Sequence, residues 1–289
     1  MTTNATHLGQ PQHTVERPAG RLSLAIRWLL TLRWHLFALF VSDLGRSMVD
    51  HKYDAFTTDN AYDATPRGRR AIPRLVDRIV RGKDTNVALR QRLEIVTGVL
   101  TEAVLIERAS GPVRLASGPV GLGRDIRQTW SRLRALGTRP DLWLELVGVD
   151  LDDEGTVLAE VARLAESEDV PLSVHQFDLL RPDIGSALGG PVDVFNSIGL
   201  GVWLEDDQFR SLLWTARSLL AENGVLVIDH WRRHGGAKYV GALQMPARYI
   251  TDDAFEAALS AAGFTVDERR ATANGVVVVY RARRSARIG

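Results

Sequence analysis

Residues 143–151, WLELVGVDL, form an apolar run that stops on a carboxylate. Val and Leu occupy both alternating faces of it, so the pattern predicts a parallel strand buried on both sides rather than one with a solvated face. Similar short apolar runs occupy 113–116, 142–149, 172–177, 192–195 and 225–228, and stretches of helical period separate them at 125–136, 153–165 and 206–220. Strands alternating with helices in this way predict a doubly wound sheet. Asn223-Gly224 ends the third of these helices. Thr251 then caps a last helix reaching 262, with Asp252, Asp253 and Glu256 in its early turns, where the helix dipole favours acids. Residues 264–268 and 275–280 read as two strands joined at Asn274-Gly275.

The pattern before residue 111 is different. Residues 1–20 carry no hydrophobic period and read as a disordered tail. From 21 to about 108 the period is helical: an apolar segment 22–41, a polar and aromatic stretch 50–66, then helical runs at 71–80 and 86–106. The expected architecture is α/β: a Rossmann-like seven-stranded, mostly parallel sheet with a C-terminal antiparallel hairpin over residues 111–289, preceded by an all-helical N-terminal cap over 21–110. Segment 22–41 has the length of a membrane span. Arg27, Arg33 and His35 interrupt it at depths that a bilayer penalises, so a buried or lid helix is expected rather than stable insertion. Arg67, Arg69, Arg70, Arg74, Arg78, Arg81 and Lys83 fall beside Ile72, Leu75, Val76 and Ile79, which predicts a solvated basic face opposite a core face. The basic residues of 281–287 are read in the same way.

Composition narrows the chemistry. A chain of 289 residues with 45% hydrophobic and 25% charged residues buries a full core, and Lys+Arg 36 against Asp+Glu 35 creates no demand for an acidic partner such as nucleic acid. The absence of cysteine removes disulfides, zinc-thiolate sites and thiol nucleophiles, and is compatible with the expected cytoplasmic setting.

Three features recur at the carboxyl ends of the predicted strands. Ala116, Ser117, Gly118 and Gly121 belong to a glycine-bearing turn, ASGPVGLG, whose glycines let a backbone approach a ligand closely. Asp150, followed by Leu151, ends the second strand, where a carboxylate accepts two hydrogen bonds from a ribose diol. Asp178 ends the third, placed to accept from an exocyclic amine while Phe177 and Leu179 flank an adenine ring; Asn196 and Ser197 then border the reacting end. Asp229 and Asn196 offer only two metal ligands, and no metal is assigned.

Over residues 111–283 the chain resembles the class I S-adenosylmethionine-dependent methyltransferases, on the glycine turn, VGVDLD, HQFDLL, and DVFNSIGLGVWLED leading into a helix and then ENGVLVID. It is most similar to a bacterial subgroup with a helical N-terminal extension, on DHKYDAF and TPRGRR. The resemblance implies S-adenosylmethionine as cofactor, S-adenosylhomocysteine as product, and a small-molecule acceptor, in the manner of secondary metabolism, held under the helical cap; a homodimer is left open. It makes Tyr53 a candidate contact in the cap. Where the family carries an acid before its glycines, this chain has Ala116 and Ser117, and Pro119 interrupts the turn, which implies a weaker hold on the cofactor's amino group or a different use of the cofactor.

Methyl transfer needs in-line approach and exclusion of water, and a general base is optional. The candidates are His230 and His234, just beyond the fifth strand, with His230 taken as the catalytic choice beside Tyr53; Tyr239 and Tyr249 are alternatives for orienting a substrate. Trp28, Trp34, Phe37, Phe40 and Phe56 are expected near the acceptor or in the core. Asn196-Ser197-Ile198-Gly199 lacks the Asn-Pro-Pro-aromatic pattern of enzymes that methylate bases and amides, which lowers nucleic-acid amines as acceptors. Three readings stand beside methyl transfer: a methyltransferase-like enzyme carrying out a non-methylating cyclisation, a non-catalytic partner subunit docking through 22–41, and nucleic-acid binding through the Arg cluster, whose affinity would fall steeply with salt.

Overall fold

The structure, a computed structural model, describes residues 41–51, 54–67, 70–152, 154–181, 184–237 and 247–285. The expected tail, the apolar segment up to residue 40, Tyr53, Asp153 and Tyr239 lie outside them, as do Trp28, Trp34, Phe37 and Phe40. Among the described residues no helix is long and apolar enough to cross a membrane.

Among the described residues four helices precede the sheet: α1 (Asp43–His51), α2 (Ala55–Tyr62), α3 (Ala71–Arg81) and α4 (Asp84–Glu107). The alternating region follows as β1 (Val113–Ser117), α5 (Arg124–Ala135), β2 (Leu144–Asp150), α6 (Thr156–Ser167), β3 (Leu172–Gln176), the single turn α7 (Ile184–Ala187), β4 (Val192–Ser197), α8 (Asp206–Leu219) and β5 (Leu220–Trp231). Helix α9 (Asp252–Ala261), β6 (Phe264–Ala271) and β7 (Val277–Arg284) complete it. One seven-stranded sheet runs in the order β3-β2-β1-β4-β5-β7-β6. Strands β1 to β5 pair in parallel, and β7 inserts antiparallel between β5 and β6. This is the predicted mixed sheet with its terminal hairpin. Helix α8 ends earlier than expected: β5 begins at Leu220, so the Asn223-Gly224 turn lies within the irregular start of the strand, with Asn223 at φ 63°.

Strand alternation sorts side chains to two faces. Ala116, Val149, Phe195, Leu226 and Ile228 pack with residues of α8 and α9 such as Phe209, Leu212 and Phe255. Leu115, Leu146, Val194, Val225 and Val227 pack with Val96, Val99 and Leu100 of α4 and with Ile126 and Trp130 of α5. Helix α4 is therefore a layer of the sheet domain. Residues on both sides of 110/111 thus contribute to one packed layer.

Helix α3 departs from its predicted orientation. Val76 is buried, whereas Ile72 and Leu75 are 64% and 55% exposed and Arg81 only 2%. Asp77 turns the helix: it accepts from Ser42 Oγ (2.8 Å), the Leu44 amide (3.1 Å), the Arg67 amide (3.1 Å) and Arg81 Nε (2.7 Å). Arg81 in turn donates to the carbonyls of Asn60 and Asp63, both at 2.6 Å, at the carboxyl end of α2. A buried charge must be paired, and that requirement outweighs burial of the isoleucines. The basic residues at the end of β7 are likewise not simply solvated. Arg283 pairs with Glu107 and Asp267, and Arg281 with Glu102 and Glu268.

Burial alone would raise the Asp77 carboxyl, but Arg81 and the other donors outweigh it and hold the group below its ordinary value. Its contribution to stability is present above the unfolded carboxylate value, about pH 4, and is lost as the pH falls through the folded one. Asp77→Ala strands the Arg81 guanidinium and should cost about 3–5 kcal/mol. Urea unfolding at neutral pH measures this, and an unmoved midpoint would show that the hub does not hold the helices together.

Candidate active site

The turn between β1 and α5 is shaped by what lies beneath it. Val120 folds back so that its amide donates to the Val149 carbonyl at 2.7 Å and its side chain covers Gly148. A Cβ at Gly148 would stand 2.8 Å from Val120 Cγ2, so this strand glycine is what lets the turn close on β2. Gly123, at φ 64°, then starts α5 in a left-handed conformation. The turn delivers the Gly121 amide to Asp150 Oδ2 at 2.8 Å, while Leu151 N–H donates to the other oxygen at 3.0 Å.

Asp150 opens into a cavity of about 350 Å³ that crosses the carboxyl ends of β2, β1, β4 and β5 under α2 and the start of α4. Its size is that of a small-molecule site. Asp54, Asp59, Asp125 and Asp150 line it, against the guanidinium groups of Arg92 and Arg124. Asp125 lies in the first turn of α5, accepting from the Ile126 amide at 2.9 Å and from Asn196 Nδ2. Removal from water raises the Asp125 carboxyl above its ordinary value, and the same cause raises Asp150. At the mouth, Arg124 grips Asp59 of α2 through two bonds of 2.7 and 2.8 Å.

The floor is a buried network absent from the expected set. Arg92 of α4 donates to Asp229 Oδ2 at 3.1 Å and to the Tyr62 hydroxyl at 2.6 Å, and Asp229 Oδ1 accepts from the Gly199 amide at 2.7 Å. Burial opposes the charge on Arg92, but Tyr62 and Asp229 outweigh it and hold the guanidinium above its ordinary value. Burial raises the Tyr62 phenol. The signal for Arg92 was present in the sequence: it falls three residues after Leu89 and four before Val96, on the apolar stripe of its helix.

Beyond β4 the walls become aromatic. Trp203, Trp231, Tyr249 and His234 gather there with Thr85, Leu89 and Val202. His234 Nδ1 lies 3.1 Å from the Arg232 carbonyl and Nε2 3.1 Å from Thr85 Oγ1. Its ring meets Tyr249 edge-on at 5.6 Å and stands 5.8 Å from Trp231.

Of the residues expected around a nucleotide, Gly121 and Asp150 line the cavity. Leu151 follows Asp150 and is exposed, while Asp178 accepts from the Leu180 amide at 2.9 Å in a turn just past β3. The Phe177 amide donates to the Asp150 carbonyl at 2.8 Å, which brings that turn beside Asp150. Gly118 is covered by Leu179, whose Cδ2 would stand 2.7 Å from a Cβ there. Ala116 is in the core on the opposite face of the sheet, Ser117 Oγ accepts from Asn196 Nδ2 at 2.9 Å, and Ser197 is buried with its hydroxyl unpaired. Asn196 and Ser197 complete β4 rather than follow it.

His230, taken as the catalytic choice, does not reach the cavity. Strand β5 extends through Trp231, so alternation sends Asp229 and Trp231 to the cavity face and His230 to the other. There its ring stacks on Phe255 at 4.7 Å and Nε2 meets Asp252 Oδ1 at 3.1 Å; burial lowers it below the ordinary imidazole value. The candidate that faces the cavity is His234.

No family model matches this sequence, and no curated protein matches it. Solved structures do. The chain is similar to a possible exported protein from Bordetella parapertussis, with 20% identity over 90% of this chain and 93% of that one and a TM-score of 0.73. It is similar to the CurJ carbon methyltransferase, with 17% identity over 93% and 72% of the two chains and a TM-score of 0.58. A third similar structure is magnesium protoporphyrin IX methyltransferase (ChlM) from Synechocystis PCC 6803, solved with SAH bound: 13% identity over 70% and 88%, TM-score 0.51. With its five parallel strands and inserted antiparallel β7, the chain has the fold of the class I S-adenosylmethionine-dependent methyltransferases.

Proposed function

We propose that this chain binds S-adenosylmethionine in the cavity and transfers its methyl group to a small-molecule acceptor. The observation that carries this reading is the charge of the wall: four carboxylates face two guanidiniums at the strand ends where this fold binds ligands. Such a wall suits a ligand with more positive than negative groups, and S-adenosylmethionine carries a sulfonium and an ammonium against one carboxylate. When bound, the cofactor supplies an electrophilic methyl carbon on a positively charged sulfur.

The residues fit that ligand. Asp150, with Gly121 across from it, is placed for the ribose, and the Phe177-Asp178 turn beside it for the adenine. Asp125 provides the amino-group site that the missing strand-end acid had left open. It lines the cavity, and Asn196 Nδ2 donates to its Oδ2 from the end of β4. An ammonium group pairs with this carboxylate. Arg124, bonded to Asp59, and Tyr62 beside it narrow the cavity from the α2 side.

Calorimetry with S-adenosylhomocysteine tests the reading directly, and absence of heat sinks it. Loss of a charged hydrogen-bonding group of this kind is worth about 1.5–3 kcal/mol, so Asp150→Ala should weaken binding roughly 10- to 100-fold. An unchanged Kd removes Asp150 from the site.

Asp125→Asn should act in two directions. Because the folded carboxyl lies above its unfolded value, ionising it costs the ligand-free protein stability as the pH rises through that window. The amide removes the cost, so the melting temperature at neutral pH should rise while affinity for S-adenosylmethionine falls. In the parent protein that affinity should weaken as the pH is lowered through the raised value, since the protonated acid no longer pairs with an ammonium. A variant that binds as tightly as the parent would assign the amino group elsewhere.

A further inference from the structure

We infer that the aromatic end of the cavity takes a phenolic hydroxyl as methyl acceptor, with His234 Nε2 receiving its proton. This inference rests on the S-adenosylmethionine reading and names the substrate class of the same site.

Three observations carry it. The first is the tautomer of His234. A carbonyl oxygen cannot donate, so the Arg232 carbonyl 3.1 Å from Nδ1 fixes the proton on Nδ1 and leaves Nε2 as a lone pair. That lone pair faces Thr85 Oγ1 at the cavity wall, a hydroxyl partner that an incoming hydroxyl can replace. The second is Trp231. It is 7% exposed and lines the cavity, yet its indole N–H is buried with no partner. The indole therefore offers the cavity its apolar ring rather than its N–H, a flat contact for a planar ligand. The third is shape and polarity. Trp231, Trp203 and Tyr249 supply flat apolar walls at the β5 side, about three strand spacings, or ~14 Å, from Asp150 at the end of β2. A planar ring with a hydroxyl group fits a wall of aromatic faces that presents one acceptor, His234 Nε2.

Arg92 and Asp229 hold this end in place. The guanidinium stands 5.9 Å from both the Tyr62 and Trp231 ring centroids, so the network that fixes the cavity floor also fixes the indole. In the reaction the phenol oxygen forms a bond to the methyl carbon as the carbon–sulfur bond breaks. The electron pair goes to sulfur, leaving a neutral thioether, and the phenol proton passes to His234 Nε2 and then to solvent.

The test begins without turnover. 4-Nitrophenol is titrated into the complex of the protein with S-adenosylhomocysteine, and its phenolate absorbance is followed against pH. Bound to the parent, the phenol should ionise at lower pH than when bound to His234→Gln. Equal ionisation in both, with S-adenosylhomocysteine binding intact, overturns the assignment of Nε2. Turnover follows with a panel of phenols, amines, thiols and carbon acids. Phenols should be methylated, and His234→Ala should lower kcat for weakly acidic phenols by about 10²- to 10⁴-fold. That defect should shrink for nitrophenols and be partly rescued by added imidazole, neither of which a purely structural histidine would produce. If the variants fail to bind S-adenosylhomocysteine, the parent still decides: methylation restricted to phenols already ionised at the assay pH overturns the proton transfer. Cofactor binding with methylation only of amines, thiols or carbon, or of nothing in the panel, overturns the acceptor class and leaves the cofactor reading standing. Absence of cofactor binding overturns both.

Discussion

The contact between Arg92 and Asp229 decides where everything else in the site can be. It joins the first turns of α4 to the end of β5, across 137 residues of sequence, with both groups almost wholly buried. A guanidinium in that position is tolerable only if it is paired and bonded, and its partners are a carboxylate from the sheet and a phenol from α2. The pair therefore sets three things together: the distance of the helical layer from the strand ends, the placement of Tyr62, and the facing of Trp231. Gly199 N–H takes the remaining oxygen of Asp229, which extends the network to the loop after β4. The cavity is the space that this arrangement keeps open between α2, α4 and the strand ends.

Much of the fold was legible because parallel strands buried on both faces leave an apolar signature that neither loops nor surface helices imitate. The runs around Val147, Val194 and Val227 became central strands of one sheet, while the run around Val174 became its half-exposed edge strand β3. Strand ends were less legible, and the site depends on ends. Extending β5 from Ile228 to Trp231 changes no apolar residue, yet it converts a supposed loop histidine at 230 into a core residue stacked on Phe255. The same arithmetic applies to β4, where Asn196 shares the parity of Val194 and meets Asp125, while Ser197 shares that of Phe195 and turns from the cavity. Near a strand end, one residue of register separates a ligand contact from packing.

The helical region was harder to read because polar pairing there overrides the hydrophobic period. In α3 the period of Ile72, Leu75, Val76 and Ile79 points one way, and Asp77 with Arg81 points another. The pair wins because an unpaired buried charge costs several kcal/mol, whereas Ile72 and Leu75 remain only partly exposed and each forgoes less than the roughly 1.5–3 kcal/mol of full burial. The Asp77–Arg81 hub and the Arg92–Asp229 pair obey the same rule. Each places an arginine where a sequence pattern expects an apolar side chain or a solvated one, and each binds α2, through the Asn60 and Asp63 carbonyls or the Tyr62 hydroxyl.

Helix α2 is thus held from three sides by arginines: Arg81 at its carboxyl end, Arg92 on Tyr62, and Arg124 on Asp59. The bonds are unequal in depth. Arg81 and Arg92 are buried, whereas Arg124 and Asp59 retain 28% and 20% of their side-chain exposure. Screening and side-chain entropy weaken a partly exposed pair far more than a buried one. The buried pairs therefore act as the fixed attachment of α2, and the Arg124–Asp59 pair at the cavity mouth is the contact that opens at least cost. The division follows from burial alone: the charges that no water reaches hold the shape of the site, and the pair that water reaches adds least to it.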